Sequence, residues 1–162
     1  ACNAAERDAM CGAKYVQSDM SDVYEPAANA IKQHRGPALF TGTPCQAEAF
    51  RTFYEAERLD LTDVYLCALV CHGAASPQVW KDYLEHVEET SHGDVTEINF
   101  RNKEQGWRHN RMTARIGGQE RLMQSYSALF YSKLCNPRSC FACPYTTVMR
   151  NCDITIGDFW SI

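Results

Sequence analysis

The sequence predicts an α/β fold: a mixed sheet flanked by helices, with a cysteine-bearing loop near the C-terminus. Two short apolar runs, 38–41 and 62–70, each end in a turn that leads into an amphipathic helix, as buried parallel strands do. Further on, Gly117-Gly118 separates two segments that read as an antiparallel hairpin. The chain has 162 residues, 45% hydrophobic and 22% charged, the composition of one ordinary soluble domain with a sizeable core. It begins without Met and stops two residues after an aromatic pair. Residues 1–162 are therefore expected to be a single partial domain, a fragment of a larger one.

The elements follow in order. Pro26 suits a first helical turn, so a helix starts near Glu25, with Ala27, Ala30 and Ile31 at helical spacing, and ends at Gly36-Pro37. Ala38-Leu39-Phe40-Thr41 is a short buried strand. The turn Gly42-Thr43-Pro44-Cys45 opens a second helix to about Arg58. Thr62 to Val70 is a central strand, left by Cys71-His72-Gly73. Ser76-Pro77 opens a third helix with Val79, Trp80, Tyr83, Leu84 and Val87 on one face. Val95 to Arg101 is a strand, followed by a hairpin of 111–116 and 120–123. Tyr126 to Leu134 is a short helix, Asn136 to Tyr145 a loop, and Cys152 to Ile156 a last strand.

Charge and hydropathy exclude some functions. The longest apolar run, Val64 to Cys71, is far short of the ~20 residues of a membrane span. No signal peptide is visible. Residues 1–98 hold seven Lys/Arg against sixteen Asp/Glu, a net of −9, whereas residues 99–162 carry +5. The acidic part argues against general nucleic-acid binding. In the basic part, Arg101, Lys103, Arg108, Arg111 and Arg115 either meet an anionic cofactor or form a solvated basic hairpin that complements the chain's own acidic part.

Nine cysteines are many for this length, but the number is odd and a chain this long folds without disulfides. Reduced thiols in a cytoplasmic protein, some of them binding metal, are the expected state. Cys140-Phe141-Ala142-Cys143 is the sharpest local signal, since thiolates three residues apart chelate one metal or iron–sulfur cluster. A redox dithiol is the competing use of that pair. Cys45 and Cys71 lie just past the C-terminal ends of the two apolar strands, where ligands gather in α/β sheets, and Cys45 sits where a helix dipole favours thiolate. Taken singly, each would read as a buried apolar cysteine. Cys2, Cys11, Cys67, Cys135 and Cys152 read as structural, as does His72. His34, His86, His92 and His109 have no ligand spacing. The turn at Gly42-Thr43-Pro44 offers backbone N–H groups to a phosphate but is neither a dinucleotide fingerprint nor a P-loop.

Several strings occur in a telling order. They are Gly12-Ala13-Lys14-Tyr15, Leu39-Phe40-Thr41-Gly42-Thr43-Pro44-Cys45-Gln46, Val70-Cys71-His72-Gly73 and Ser76-Pro77. Then come Ile98 to Lys103 with Gly106-Trp107, Ser139 to Cys143, and Arg150 to Trp160. Together they resemble the coenzyme F420 hydrogenase/dehydrogenase beta-subunit family, in its C-terminal domain, over nearly the whole chain. The resemblance implies an iron–sulfur flavoprotein that passes electrons between a [4Fe–4S] cluster, FAD and a soluble acceptor, deazaflavin or another small redox substrate. It implies that Cys45, Cys71, Cys140 and Cys143 ligate the cluster. It makes Lys14, Tyr15, Thr41, Gly42 and Thr43 part of the flavin site; the swing in charge along the chain adds the expectation that some of Arg101, Lys103, Arg108 and Arg111 border the cofactor cleft. A ferredoxin-type module or another electron-donor protein is the implied partner.

The ferredoxin module and the glycine-rich segment usual upstream in that family are not in this chain, so weak FAD binding is expected. The alternatives from the residues themselves are a four-cysteine zinc module without enzymatic activity and a thiol–disulfide protein.

Overall fold

In this computed structural model, residues 3–34, 36–106, 111–147 and 151–158 are described. The chain runs α1 (Ala4–Met10), α2 (Tyr24–Gln33), β1 (Ala38–Gly42), α3 (Pro44–Ala56), β2 (Val64–Leu69), α4 (Pro77–Ser91) and β3 (Val95–Asn102). It continues through β4 (Arg111–Ile116), β5 (Gln119–Leu122), α5 (Gln124–Ser132), the single turn α6 (Arg138–Phe141), a 3₁₀ turn (Pro144–Thr146) and β6 (Ile154–Ile156). This is the expected α/β class, with the parallel and antiparallel pairings divided between two sheets. The chain forms two compact units, Ser18–His72 with Ala142–Ile162, and Ala1–Gln17 with Gly73–Phe141.

The first unit is built on a parallel sheet of order β1-β2-β6. Pro44 at the first turn of α3 and the apolar spacing of that helix turn one stripe onto the sheet. Phe50 and Tyr54 are buried there with Ala28 of α2 and Leu66 of β2. The rings of Phe40 and Phe50 stack at 4.1 Å. On the opposite face, Leu39 and Tyr65 are register partners, as are Leu69 and Ile156, and all four with Ile154 are 41–61% exposed. Parallel sheets are ordinarily covered on both faces; among the described residues this face is apolar and open.

β6 is tied in by its own sequence. The Asp153 carboxylate accepts the Leu66 N–H at 2.7 Å, while the Asp153 N–H donates to the Leu66 carbonyl. The strand starts at Ile154, two residues later than the sequence suggests, because Asp153 is spent on this clasp.

The second unit holds the antiparallel sheet β3-β4-β5, with the hairpin turning at Gly117-Gly118 as expected. Trp80, Tyr83, Leu84 and Val87 of α4 pack on the buried cluster of Ala75, Met112, Ala114, Ile116, Met123 and Tyr126. Helix α1 was not expected from the sequence. It is opened by Asn3, whose side chain accepts the Glu6 N–H at 3.0 Å. The segment expected as a loop from Asn136 to Tyr145 is partly ordered as α6 and the 3₁₀ turn.

Candidate functional site

In the first unit, three parallel strands end on one side. Gly42 of β1 pairs with Ala68 of β2, and Leu69 of β2 pairs with Ile156 of β6. Cys45 lies three residues past Gly42, and Cys71 lies three residues past Ala68. Two parallel strands in register therefore send their chains out to the two thiols by equal steps. Cys45 is exposed and Cys71 partly buried.

The string around Cys45 is fixed residue by residue. Gly42 is closely packed: a Cβ would come within 3.2 Å of Gln46 Cβ and Oε1. Thr43 is the N-cap of α3 and Pro44 its first residue, where a missing N–H is harmless. The Thr43 N–H donates to Gln46 Oε1 at 2.9 Å, which is half of a capping box. Cys45 Sγ lies 3.2 Å from Thr43 Oγ1. The string around Cys71 is braced by β6. The Val70 N–H donates to the Ile156 carbonyl at 2.8 Å, and a Cβ on Gly157 would meet Val70 Cγ2 at 2.7 Å.

Cys143 caps the 3₁₀ turn that carries Tyr145. Burial pushes the Tyr145 phenol up from its usual range. The Glu48 carboxylate and then the Cys45 and Cys143 thiols add to that, while Arg51 opposes it. Cys45 and Cys143 thus act on the same phenol. The Tyr24 phenol is likewise raised by burial and then by Cys45, and its hydroxyl donates to the Gln46 carbonyl at 3.5 Å. On α3, Arg51 pairs with Glu48 and donates to the Asn151 carbonyl at 2.8 Å. Tyr24, Glu48, Arg51 and Tyr145 were not singled out from the sequence. The signal available was the i, i+3 row of Cys45, Glu48 and Arg51 on one helix face.

In the second unit, Cys140 lies in α6, its N–H bonded to the Pro137 carbonyl at 2.9 Å. Gly73 holds φ +106°, and a Cβ there would overlap the side-chain amide of Asn136. Gly73 follows Cys71 by two residues and Asn136 precedes Cys140 by four. Among the described residues, no three His, Cys, Asp or Glu side chains are gathered as ligands of a single ion would be.

Several of the other expected site residues are engaged by their own neighbours. Lys14 Nζ donates to the carbonyls of Met10, Cys11 and Gly12 at 2.9–3.2 Å, closing the end of α1. The Tyr15 ring stacks on Phe130 at 4.6 Å and meets Phe100 and Tyr131 edge-on. Thr41 pairs with Cys67 in the sheet. Arg101 is half-buried at the end of β3, and Lys103 is exposed just beyond it. Arg115 pairs with Glu97 at 3.0 Å, the self-complementary outcome for that residue. Arg111 lines a small polar cleft with Asn102, Glu104, Thr113, Glu120 and Arg121. Arg108 lies outside the described residues, as do Cys2, Trp107, His109, Arg150, Phe159 and Trp160. Cys67 is buried in β2, and Cys152 Sγ lies 3.4 Å from Thr155 Oγ1.

Cys45 and Cys71 follow the C-terminal ends of two adjacent parallel strands, the end of an open α/β sheet at which ligands bind. Residues 37–161 match the family model for the C terminus of the coenzyme F420 hydrogenase/dehydrogenase beta subunit. The chain belongs to that family, which forms part of oxidoreductases that act with redox partners. No match was found among curated proteins. Among the described residues, no helix is long and apolar enough to cross a membrane.

Proposed function

We propose that this chain is the iron–sulfur domain of a flavin-linked oxidoreductase, with Cys45, Cys71, Cys140 and Cys143 as ligands of a [4Fe–4S] cluster. The equal three-residue exit of Cys45 and Cys71 from paired positions of adjacent parallel strands carries this reading. Two further points support it. Cys140 and Cys143 are joined by a two-residue link. Gly73 and Asn136, close in sequence to Cys71 and Cys140, are in contact. A cubane asks less convergence than a single ion, because each thiolate binds its own iron at a separate corner. The donor set fits: four thiols and no carboxylate suit iron–sulfur chemistry.

Bound there, a cluster supplies one-electron transfer. The chain's part is to hold the four thiolates and set the local charge through Glu48 and Arg51, which follow Cys45 on α3.

The fit for FAD is poorer. Lys14, Tyr15 and the Thr43 N–H are committed to protein partners, so no step is derived through a flavin held by these residues. The electron donor is proposed to be a ferredoxin-type module or protein and the acceptor a small redox molecule, both on the strength of the family.

The test is anaerobic purification followed by a visible spectrum with iron, sulfide and zinc assays. A brown protein with iron and acid-labile sulfide in equal amounts supports the reading. A colourless protein holding zinc identifies a structural zinc site instead.

A further inference from the structure

We infer that the Thr43 hydroxyl donates a hydrogen bond to the Cys45 sulfur and thereby raises the reduction potential of the cluster that this sulfur ligates. This rests on the reading of Cys45 as a ligand. Thr43 Oγ1 lies 3.2 Å from Cys45 Sγ, and by distance alone either atom could donate. Ligation settles the direction, since a metal-bound cysteine is a thiolate without a proton and the hydroxyl carries the one hydrogen between them.

The other polar groups of Thr43 are occupied. Its N–H goes to Gln46 Oε1 at 2.9 Å, and its carbonyl accepts the Ala47 N–H at 2.9 Å. The backbone that carries the hydroxyl is held on both sides. Pro44 fixes the following residue, and Gly42 is packed closely against Gln46, where a Cβ would lie 3.2 Å from Gln46 Cβ and Oε1. Thr43 Oγ1 is thus held at the start of α3 within reach of the sulfur.

The electronic consequence follows from charge. One-electron reduction places added negative charge on the cluster and its thiolates. A hydrogen bond to a ligand sulfur stabilises that reduced form more than the oxidised one. Thr43 is in this sense a positioning residue, acting on the cluster through Cys45.

The experiment rebuilds the cluster in the wild type, Thr43→Val, Thr43→Ser and Thr43→Gly from ferrous iron and sulfide under anaerobic conditions. Each protein is then titrated with dithionite and followed by electron paramagnetic resonance. Thr43→Val and Thr43→Gly are expected to lower the reduced-to-oxidised ratio at a fixed potential about tenfold, or ~59 mV for a one-electron couple. Thr43→Ser keeps the hydroxyl and is expected to titrate with the wild type. Glycine is about as good an N-cap as threonine, so Thr43→Gly carries the test if Thr43→Val fails to fold. Midpoints for Thr43→Val and Thr43→Gly equal to the wild type's, at unchanged cluster content, overturn the inference and leave the ligand assignment standing. A wild type that takes up no cluster removes the ligand assignment and the inference together.

Discussion

Gly73 and Gly157 show why the short strings around the thiols take the form they do. Gly73 needs a left-handed backbone and gives its side-chain space to Asn136; Gly157 gives its space to Val70. Gly73→Ala should destabilise the protein by ~1–2 kcal/mol for the left-handed backbone alone, with a further cost for displacing Asn136. Adding Asn136→Gly should recover the second part and not the first, a difference that urea unfolding of the two variants resolves. Burial sets a second contrast. Phe50→Ala, at a fully buried ring, should cost about 3–5 kcal/mol. Leu39→Ala, on the open face, should change stability by no more than about 0.5 kcal/mol. The thiols were legible as candidates because spacing and strand ends are local signals. Tyr145 and Arg51 were not, because their relation to Cys45 depends on folding: Arg51 reaches a carbonyl one hundred residues further along the chain.

At the scale of elements, the strand–turn–helix units were readable because Pro44 and Pro77 mark first helical turns and the apolar faces keep helical period. α1 was not read, since its signal is a single cap at Asn3 over seven residues with none buried. α6 was not read because one turn has no period to detect. The clasp between β2 and β6 gives a prediction of its own. Asp153→Ala removes a carboxylate that accepts the Leu66 N–H, and hydrogen bonds to charged groups contribute ~1.5–3 kcal/mol. The variant should lose stability by about that amount. Hydrogen exchange at the Leu66 amide should quicken, and unchanged protection there would show that Asp153 does not hold β6.

For the whole molecule, the α/β class was legible, whereas the division into two units has no sequence signature. Each unit is assembled from two separated segments, and the crossings at 17–18, 72–73 and 141–142 fall in ordinary sequence with no linker composition. The pairing of strands across such distances is invisible to periodicity, so two sheets read as one. Global stability should respond to alkaline pH. Burial raises the phenols of Tyr54 and Tyr126 above the ordinary value of 10.0. The unfolded chain ionises these groups near pH 10 while the folded one keeps them neutral. Their contribution is thus complete below about pH 10 and is lost as pH rises toward the folded-state values. The urea midpoint should fall between about pH 9 and pH 11, and should fall less in Tyr126→Phe.

The ligand assignment is tested most directly by measuring iron and acid-labile sulfide bound after anaerobic reconstitution of single Cys→Ala variants. Removing Cys45, Cys71, Cys140 or Cys143 should abolish or sharply reduce cluster content, while removing Cys11, Cys67, Cys135 or Cys152 should leave it at the wild-type level wherever the variant folds. Full cluster content in a folded Cys45→Ala or Cys71→Ala variant would contradict the account, because the strand end that carries that cysteine would then hold no part of the cluster.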